Sequence, residues 1–516
     1  MTDMRSTSRP NILLITSDQH RGDTYGFEGS RVHTPHLDLL ASQGTRFSAC
    51  ITPSVVCQPA RASILTGLLP LTHGVCDNGI DLEARFAEQG FAGSLSRAGY
   101  STSFIGKAHF ATYYTKEPIH SPENVAASAN FPAGWHGPYM GFDHVELMLM
   151  GHNYWLPERA PRGMHYERWY HGDGLGDMKD ALYKKRAGVD GGAAQTHHSA
   201  LPPVWHNSTW VGDRAVEYLR NHKRNGGKPF CSWVSFPDPH HPFDAPLPWS
   251  LLHPPSEVEL PRYRTRDFDR RPWWHRAAVE SIPGTTGDMR RVRQEFSRIG
   301  VQTDDQLRHM IANYYGMISL IDHNVGRILT TLDELGLSEN TLVIFTSDHG
   351  EWLGDHGLVL KGPMFYEGLL RVGLLMRGPG VPVGKVVGDP VSTIDLAATF
   401  ADFADVTNES ASHSSSLRPL LDGQAQREYA FSEWQLSANR CGVPLDLRAV
   451  RTRNAKMTLE LGSGAGELYL LDEDPDEMVN RFDDPNFHDI RDRLTGMIHS
   501  RPQDIRTKMP NRVGAG

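Results

Sequence analysis

The chain has 516 residues, 39% of them hydrophobic and 22% charged, with a net charge of −9 and 26 histidines. That length exceeds what one small core can use and predicts two to three domains of an ordinary globular kind. The acidic balance, with no Lys/Arg block, excludes a nucleic-acid partner, and five cysteines without a CxxC pair exclude a disulfide framework. Met1 to Pro10 is short and polar and shows no signal peptide, and no apolar run is long enough to cross a bilayer. The expected address is therefore the cytoplasm, with the periplasm open if a leader has been removed, and no membrane partner is expected.

Asn11 to Thr16 (NILLIT) reads as a buried parallel strand that delivers Asp18 and Gln19 at its carboxyl end, where open α/β sheets place ligands. Thr34-Pro35 opens a helix with Leu37, Leu40 and Ala41 on one face and Gly44 as its stop. Cys57 to Gly67 (CQPARASILTG) predicts another, with Pro59 suited to its first turn and Gly67 placed to end it. Cys57 then sits at a helix N-terminus, and Arg61 is expected to point back toward it. Positive partial charge plus a guanidinium would stabilise a thiolate or a bound oxyanion. His73 to Gly79 is a polar, Gly-punctuated loop in which Asn78 is either a turn residue or a substrate contact.

Tyr100 to Phe110 (YSTSFIGKAHF) contains a short strand, after which Lys107 and His109 share a face if the extended conformation continues. Gly134 to about Pro203 has little periodicity and reads as an irregular excursion over the mouth of a site. Aromatic residues across Gly134–Trp210 suit a sugar, an aryl group or a quaternary ammonium. Residues 209–222 recover helical spacing, and Phe230 to Phe236 is an apolar strand running into Pro237-Asp238-Pro239-His240-His241-Pro242-Phe243. Leu251 to Gly300 is basic and poorly patterned, a surface insertion without an assigned role.

Thr303-Asp304-Asp305-Gln306 is a capping box for a long helix whose buried stripe runs from Leu307 to Ile321. Thr341 to Thr346 (TLVIFT) is a second buried strand with a polar tip, Asp348-His349, and Lys361 returns toward the same edge. Two carboxylates, an amide oxygen and an imidazole at Asp18, Gln19, Asp348 and His349 suit one hard or borderline divalent cation, calcium first and manganese second. Zinc would want further nitrogen or sulfur ligands. Beyond residue 405 the composition shifts toward Ser, Asp and Arg, with short strands at Arg448–Arg451 and Glu467–Asp472.

The stretch Cys57-x-Pro59-x-Arg61 with its Leu65-Thr66-Gly67 ending resembles the sulfatase signature, and the resemblance runs from about Asn11 to Asn480. It implies an alkaline-phosphatase-like α/β fold. A large mixed, mostly parallel sheet would be sandwiched by helices (residues 10–404), followed by a smaller C-terminal α+β domain with an antiparallel sheet (405–516). It also implies that a maturation enzyme oxidises Cys57 to formylglycine (3-oxoalanine). The aldehyde hydrate would attack a sulfate monoester on a single divalent metal and give a covalent sulfo-enzyme. Gly106-Lys107-x-His109 resembles the element that contacts formylglycine and sulfate, and Asn78 falls where relatives border the active site. The His-x-Pro-Phe element places His240 on the leaving-group side as general acid, with Lys361 nearby and His241 as a substitute. His109 would take the proton that lets sulfate leave. Relatives often assemble as dimers or tetramers.

Two departures matter. Gln19 and His349 stand where sulfatases usually carry Asp and Asn. They are shared with phosphonate monoester or phosphodiester hydrolases of the same signature, and that activity is the nearest rival. A non-catalytic binder of sulfated ligands would have lost some of the cationic residues, and all are present. A two-metal phosphatase would want Ser or Thr at the nucleophile position and a second ligand cluster.

Overall fold

The computed structural model describes residues 9–115, 120–149, 164–189, 191–407 and 413–515. Residues 150–163 and 190 of the expected excursion lie outside them. Chain order gives β1 (Asn11–Ser17), α1 (Pro35–Ser42), β2 (Thr45–Phe47), α2 (Cys57–Thr66), β3 (Ser101–Lys107) and β4 (His144–Met148). Then come α3 (Asn207–Asn225), β5 (Phe230–Ser235), α4 (Asp304–Glu334), β6 (Thr341–Ser347), β7 (Leu374–Arg377) and β8 (Lys385–Val387). These strands form one eight-stranded sheet in the order β8-β2-β7-β6-β1-β5-β3-β4. Every neighbouring pair is parallel except those made by β7, which runs antiparallel to both β2 and β6.

The apolar run of β1 is continuous because both faces of the sheet are covered. Ile12 and Leu14 point to the side where α2 packs through Ala62, Ile64 and Leu65. Leu13 and Ile15 point to the other, against Val211, Ala215 and Leu219 of α3 and Ile321, Val325 and Ile328 of α4. Each of these leucines, isoleucines and valines contributes roughly 1.5–3 kcal/mol by leaving water. Helix α4 starts with the expected capping box, in which the Thr303 hydroxyl accepts from Gln306 N and the Gln306 side chain accepts from Thr303 N.

A second, four-stranded antiparallel sheet follows: β9 (Tyr429–Leu436), β10 (Leu445–Thr452), β11 (Ala455–Glu460) and β12 (Gly466–Leu470). The two short strands read from the sequence are parts of this larger sheet. Helix α5 (His488–His499) covers one face through Leu494, Met497 and Ile498. The other face shares a core with the chain around the larger sheet, where Trp434, Leu447 and Tyr469 pack with Val55 and Val56 just ahead of α2. Among the described residues, no helix is long and apolar enough to cross a membrane.

Histidines buried in the neutral form tie this packing to pH. Val75 N donates to His73 Nδ1 (3.1 Å), which leaves His73 Nε2–H to donate to Ser63 Oγ on α2 (3.0 Å). Burial, then His413 and Arg501, pushes His73 down to about 3, and burial with Arg271 does the same to His356. Below about pH 6.5 the unfolded chain takes up protons that the folded chain refuses, so stability is full above that pH and drains on acidification. Each site can remove up to about 1.4 kcal/mol per pH unit. Urea midpoints are expected to fall steadily from pH 6.5 to 4.5, with a shallower fall in His73→Gln; equal slopes would mean that His73 is not held neutral.

Candidate active site

The parallel register decides where the functional groups meet. Ser17 of β1 pairs with Ser347 of β6, so Asp18 and Asp348 leave the sheet side by side; Gly106 of β3 pairs with Ser235 of β5, which brings Lys107 to the same edge. Gly106 is required there: its φ is +110°, and a Cβ would fall 2.0 Å from Ser235 O. Asp18 N is held by Asp238 O (2.9 Å) and Gln19 N by Asp348 Oδ1 (3.0 Å), and Gln19 turns with φ +66°.

Helix α2 aims its N-terminus at this edge, with Cys57 as its first residue and Gly67 as its left-handed cap. Cys57 is 1% exposed. Its Sγ lies 3.0 Å from Lys361 Nζ, 3.1 Å from His349 Nε2 and 3.8 Å from Asp18 Oδ1. Burial pushes the thiol up, but Lys361 and His349 outweigh it and leave Cys57 well below its ordinary range. Asn78 accepts from Gln58 N (3.0 Å) and so satisfies one of the free amides of the helix start.

Arg61 does not point back toward Cys57. It is fully buried, with Nε on Asp348 Oδ2 (2.9 Å), Nη2 on Asp18 Oδ2 (3.3 Å), and Nη1 on Lys107 O (2.7 Å) and Ser235 Oγ (2.8 Å). Four residues beyond Cys57 in a helix, it reaches the sheet edge and braces the carboxylates. Lys107 Nζ sits 2.6 Å from Asp18 Oδ2. Burial and the Cys57 sulfur push Asp18 up, yet Lys107, His240 and Arg61 hold it below the usual carboxylate range. Asp348 is pushed above that range by burial and then by Asp18.

Lys107 and His109 do not share a strand face, because β3 ends at Lys107 and His109 has φ +56°. His109 still reaches the site, close enough to Cys57 for each to feel the other's charge. Its ring stacks on Tyr113 (4.5 Å), neither ring nitrogen has a hydrogen-bond partner, and burial holds it at about 4. His240 is likewise lowered to about 4, by burial and then by Lys361 and Lys107. Its Nδ1–H donates to His241 O (2.6 Å), leaving Nε2 as a lone pair. His241 Nδ1 faces Gln19 Nε2 at 3.3 Å.

Sequence reasoning misses several residues of the site. Glu351 is buried under Gln19, accepting from its amide and from Leu353 N. It fixes the flip of Gln19 so that Oε1 accepts from Lys361 Nζ (2.8 Å). Its one sequence signal is a third carboxylate three residues after Asp348. Ser235 links Arg61 to β3, and Glu123 pins the loop after His109 by accepting from Phe110 N (3.1 Å) and Ala111 N (3.2 Å).

The donor set fits a divalent cation. Donor atoms of Asp18, Asp348, His349 and Cys57 lie within 4.8 Å of one another. His349 Nδ1–H donates to Gly350 O (2.9 Å), so Nε2 becomes a ligand on losing its proton; without a cation, and against burial, Asp348 and Cys57 push the ring above its ordinary range. Two buried carboxylates side by side, one pushed up by the other, are the repulsion a cation relieves.

A buried cysteine at a helix N-terminus, beside lysines, imidazoles and paired carboxylates at the end of a parallel sheet, suits a hydrolase of anionic esters. The chain belongs to the sulfatase family, whose model matches residues 10–406, and is a sulfuric ester hydrolase. A second model, for the C-terminal region of N-sulphoglucosamine sulphohydrolase, matches residues 354–504. The chain is 27% identical to the arylsulfatase of Clostridium perfringens over 95% of its length and 94% of the relative's. To the choline-sulfatase of Rhizobium meliloti it is 27% identical over 93% of its length and 84% of the relative's. Among solved structures, the phosphonate monoester hydrolase of Agrobacterium radiobacter superposes with a TM-score of 0.74 at 27% identity, covering 95% of each chain.

Proposed function

We propose that this protein hydrolyses small sulfate monoesters with a formylglycine made from Cys57, beside one divalent cation. The observation that carries the reading is the setting of Cys57: first residue of α2, with Lys361 at 3.0 Å and His349 at 3.1 Å. The hydrated aldehyde would supply two geminal hydroxyls, one to attack sulfur and one whose deprotonation expels sulfate. Asp18, Gln19, Asp348 and His349 would hold the cation, calcium first and manganese second, which adds charge stabilisation at the ester oxygens.

The chain's own residues carry the protons. His109 is neutral, buried and next to Cys57, which suits the base that takes a hydroxyl proton beside position 57. His240 presents a lone pair in the resting protein, so it serves as general acid only after the charge of a bound ester raises it. The Lys361 ammonium, which donates toward both Gln19 and Cys57, stands ready to stabilise the departing oxygen. Arg61 and Lys107 act through the carboxylates they hold.

A phosphonate monoester or phosphodiester hydrolase is the second reading, favoured by Gln19 and His349 at the strand tips and by the likeness to the phosphonate monoester hydrolase structure. The division at residues 404 and 405, a maturation enzyme, a cytoplasmic location and a dimeric or tetrameric assembly belong to the same proposal. The test is the mass of the tryptic peptide Phe47–Arg61 from a host with the maturation enzyme, with aryl sulfate and phosphonate esters assayed on the same batches. Formylglycine together with faster sulfate turnover is expected. Faster phosphonate turnover selects the second reading, and full activity with an unmodified thiol removes both.

A further inference from the structure

The turn after β9 and the segment before Gly514 each bring one arginine to the same carboxylate, and the basic insertion without an assigned role places a third within electrostatic range of it. Arg440 Nη1 lies 3.7 Å from Asp77 Oδ1 and Arg512 Nη1 lies 3.5 Å from Asp77 Oδ2. Arg293 joins them from Val292–Phe296, close enough that its charge is opposed by Arg440 and Arg512 and supported by Asp77.

An ordinary structural ion pair does not account for this group. Both Asp77 gaps exceed a hydrogen bond, and Asp77 Oδ1 is already used by Asn78 N at 2.9 Å. Arg293 is 6% exposed, yet its Nε and Nη2 have no hydrogen-bond partner, and Arg440 Nη1 has only the long ion pair to Asp77. Guanidiniums stay charged in proteins, so this place holds an excess of positive charge with buried donors unmet. Burying charge in that state is costly, and an oxyanion seated among the arginines removes the cost. The cluster is held in place: Arg512 Nε donates to Gly514 O (2.9 Å), Val513 N donates to Gly79 O, and Arg440 lies over the Trp434 ring. It also reaches solvent, because the Arg440 and Arg512 side chains stay 10% and 19% exposed.

Asp77 is the neighbour of Asn78, which accepts from Gln58 N, and Gly79 N donates to Gln58 Oε1 (2.7 Å). The cluster is therefore anchored to the first turn of α2, next to Cys57. We propose that Arg293, Arg440 and Arg512 form an anion subsite that binds a second negatively charged group, a carboxylate or a sulfo group, on the ester substrate. That the ligand is a substrate rests on the sulfatase reading; that the cluster binds an oxyanion does not.

The experiment compares kcat/KM for an aryl sulfate with an otherwise uncharged ring, the same ester with a ring carboxylate, and the same ester with a ring sulfonate. Unmodified sequence is expected to favour at least one charged ring by about tenfold or more. In Arg293→Met that ratio should fall toward one, and in Arg293→Lys, which keeps the charge but not the fork, it should lie between. A ratio near one in the parent protein, or a ratio unchanged in Arg293→Met, overturns the proposal. The two ring substituents separate carboxylate from sulfo recognition. Calorimetry with inorganic sulfate on Cys57→Ala protein reads the cluster without turnover: adding Arg293→Met should remove one bound sulfate, and unchanged stoichiometry overturns the subsite. If no aryl sulfate is hydrolysed while that stoichiometry falls, the sulfatase reading fails and the anion site stands.

Discussion

Cys57→Ser protein mixed with an activated aryl sulfate is expected to release one equivalent of phenol and then stop, with steady turnover lower by about 10³-fold or more. The substituted hydroxyl occupies the place of Sγ, where Lys361 and the N-terminus of α2 favour negative charge, so the first displacement at sulfur remains available. Serine offers no second hydroxyl, so the proton removal assigned to His109 has nothing to act on and the sulfo group stays on the introduced side chain. Intact mass should show one sulfo group per chain. Cys57→Ala should give neither burst nor adduct. Steady turnover by the serine variant at the parent rate would show that a geminal diol is not needed.

Arg61→Met is expected to lower stability by about 3–5 kcal/mol and to abolish activity. Arg61 is the buried counterion between Asp18 and Asp348, and methionine keeps its bulk while removing the guanidinium that both carboxylates share. Lys107 still faces Asp18, but among the described residues Asp348 is left with backbone amides and the His349 ring, with no lysine or arginine paired to it. A divalent cation should therefore stabilise the variant more than the parent. Urea unfolding with calcium and with a chelator measures both quantities; a loss below about 1 kcal/mol, or equal calcium gains, would contradict the assigned role.

Much of the site is legible in the order of residues. The strand tips Asp18-Gln19 and Asp348-His349 follow from apolar runs ending in carboxylates, and α2 follows from Pro59 and Gly67. Tertiary geometry hides the rest. Helical spacing near Cys57 places Arg61 beside it, whereas the long side chain reaches the sheet edge, where carboxylates outcompete a more distant sulfur. An extended continuation of β3 would put Lys107 and His109 on one face, and the positive φ at His109 breaks that alternation. Glu351 and Ser235 carry no strong local pattern, since their importance lies in partners far away in the sequence. The same is true of Arg293, which lies in an insertion without periodicity.

The burial of Cys57 sets a deadline. At 1% exposure, the thiol is closed to any enzyme once its surroundings have assembled. Those surroundings arrive late: Lys361 and His349 come from far along the chain, and Leu71 N, just past α2, waits for Glu433 Oε1 (2.8 Å) on β9. At about 5–20 residues per second, translation takes tens of seconds to travel from Cys57 to that glutamate. On the formylglycine reading, oxidation of Cys57 has to be finished in that interval, so slowing synthesis of the C-terminal half should raise the modified fraction, and a chain that folds early would be locked as a thiol.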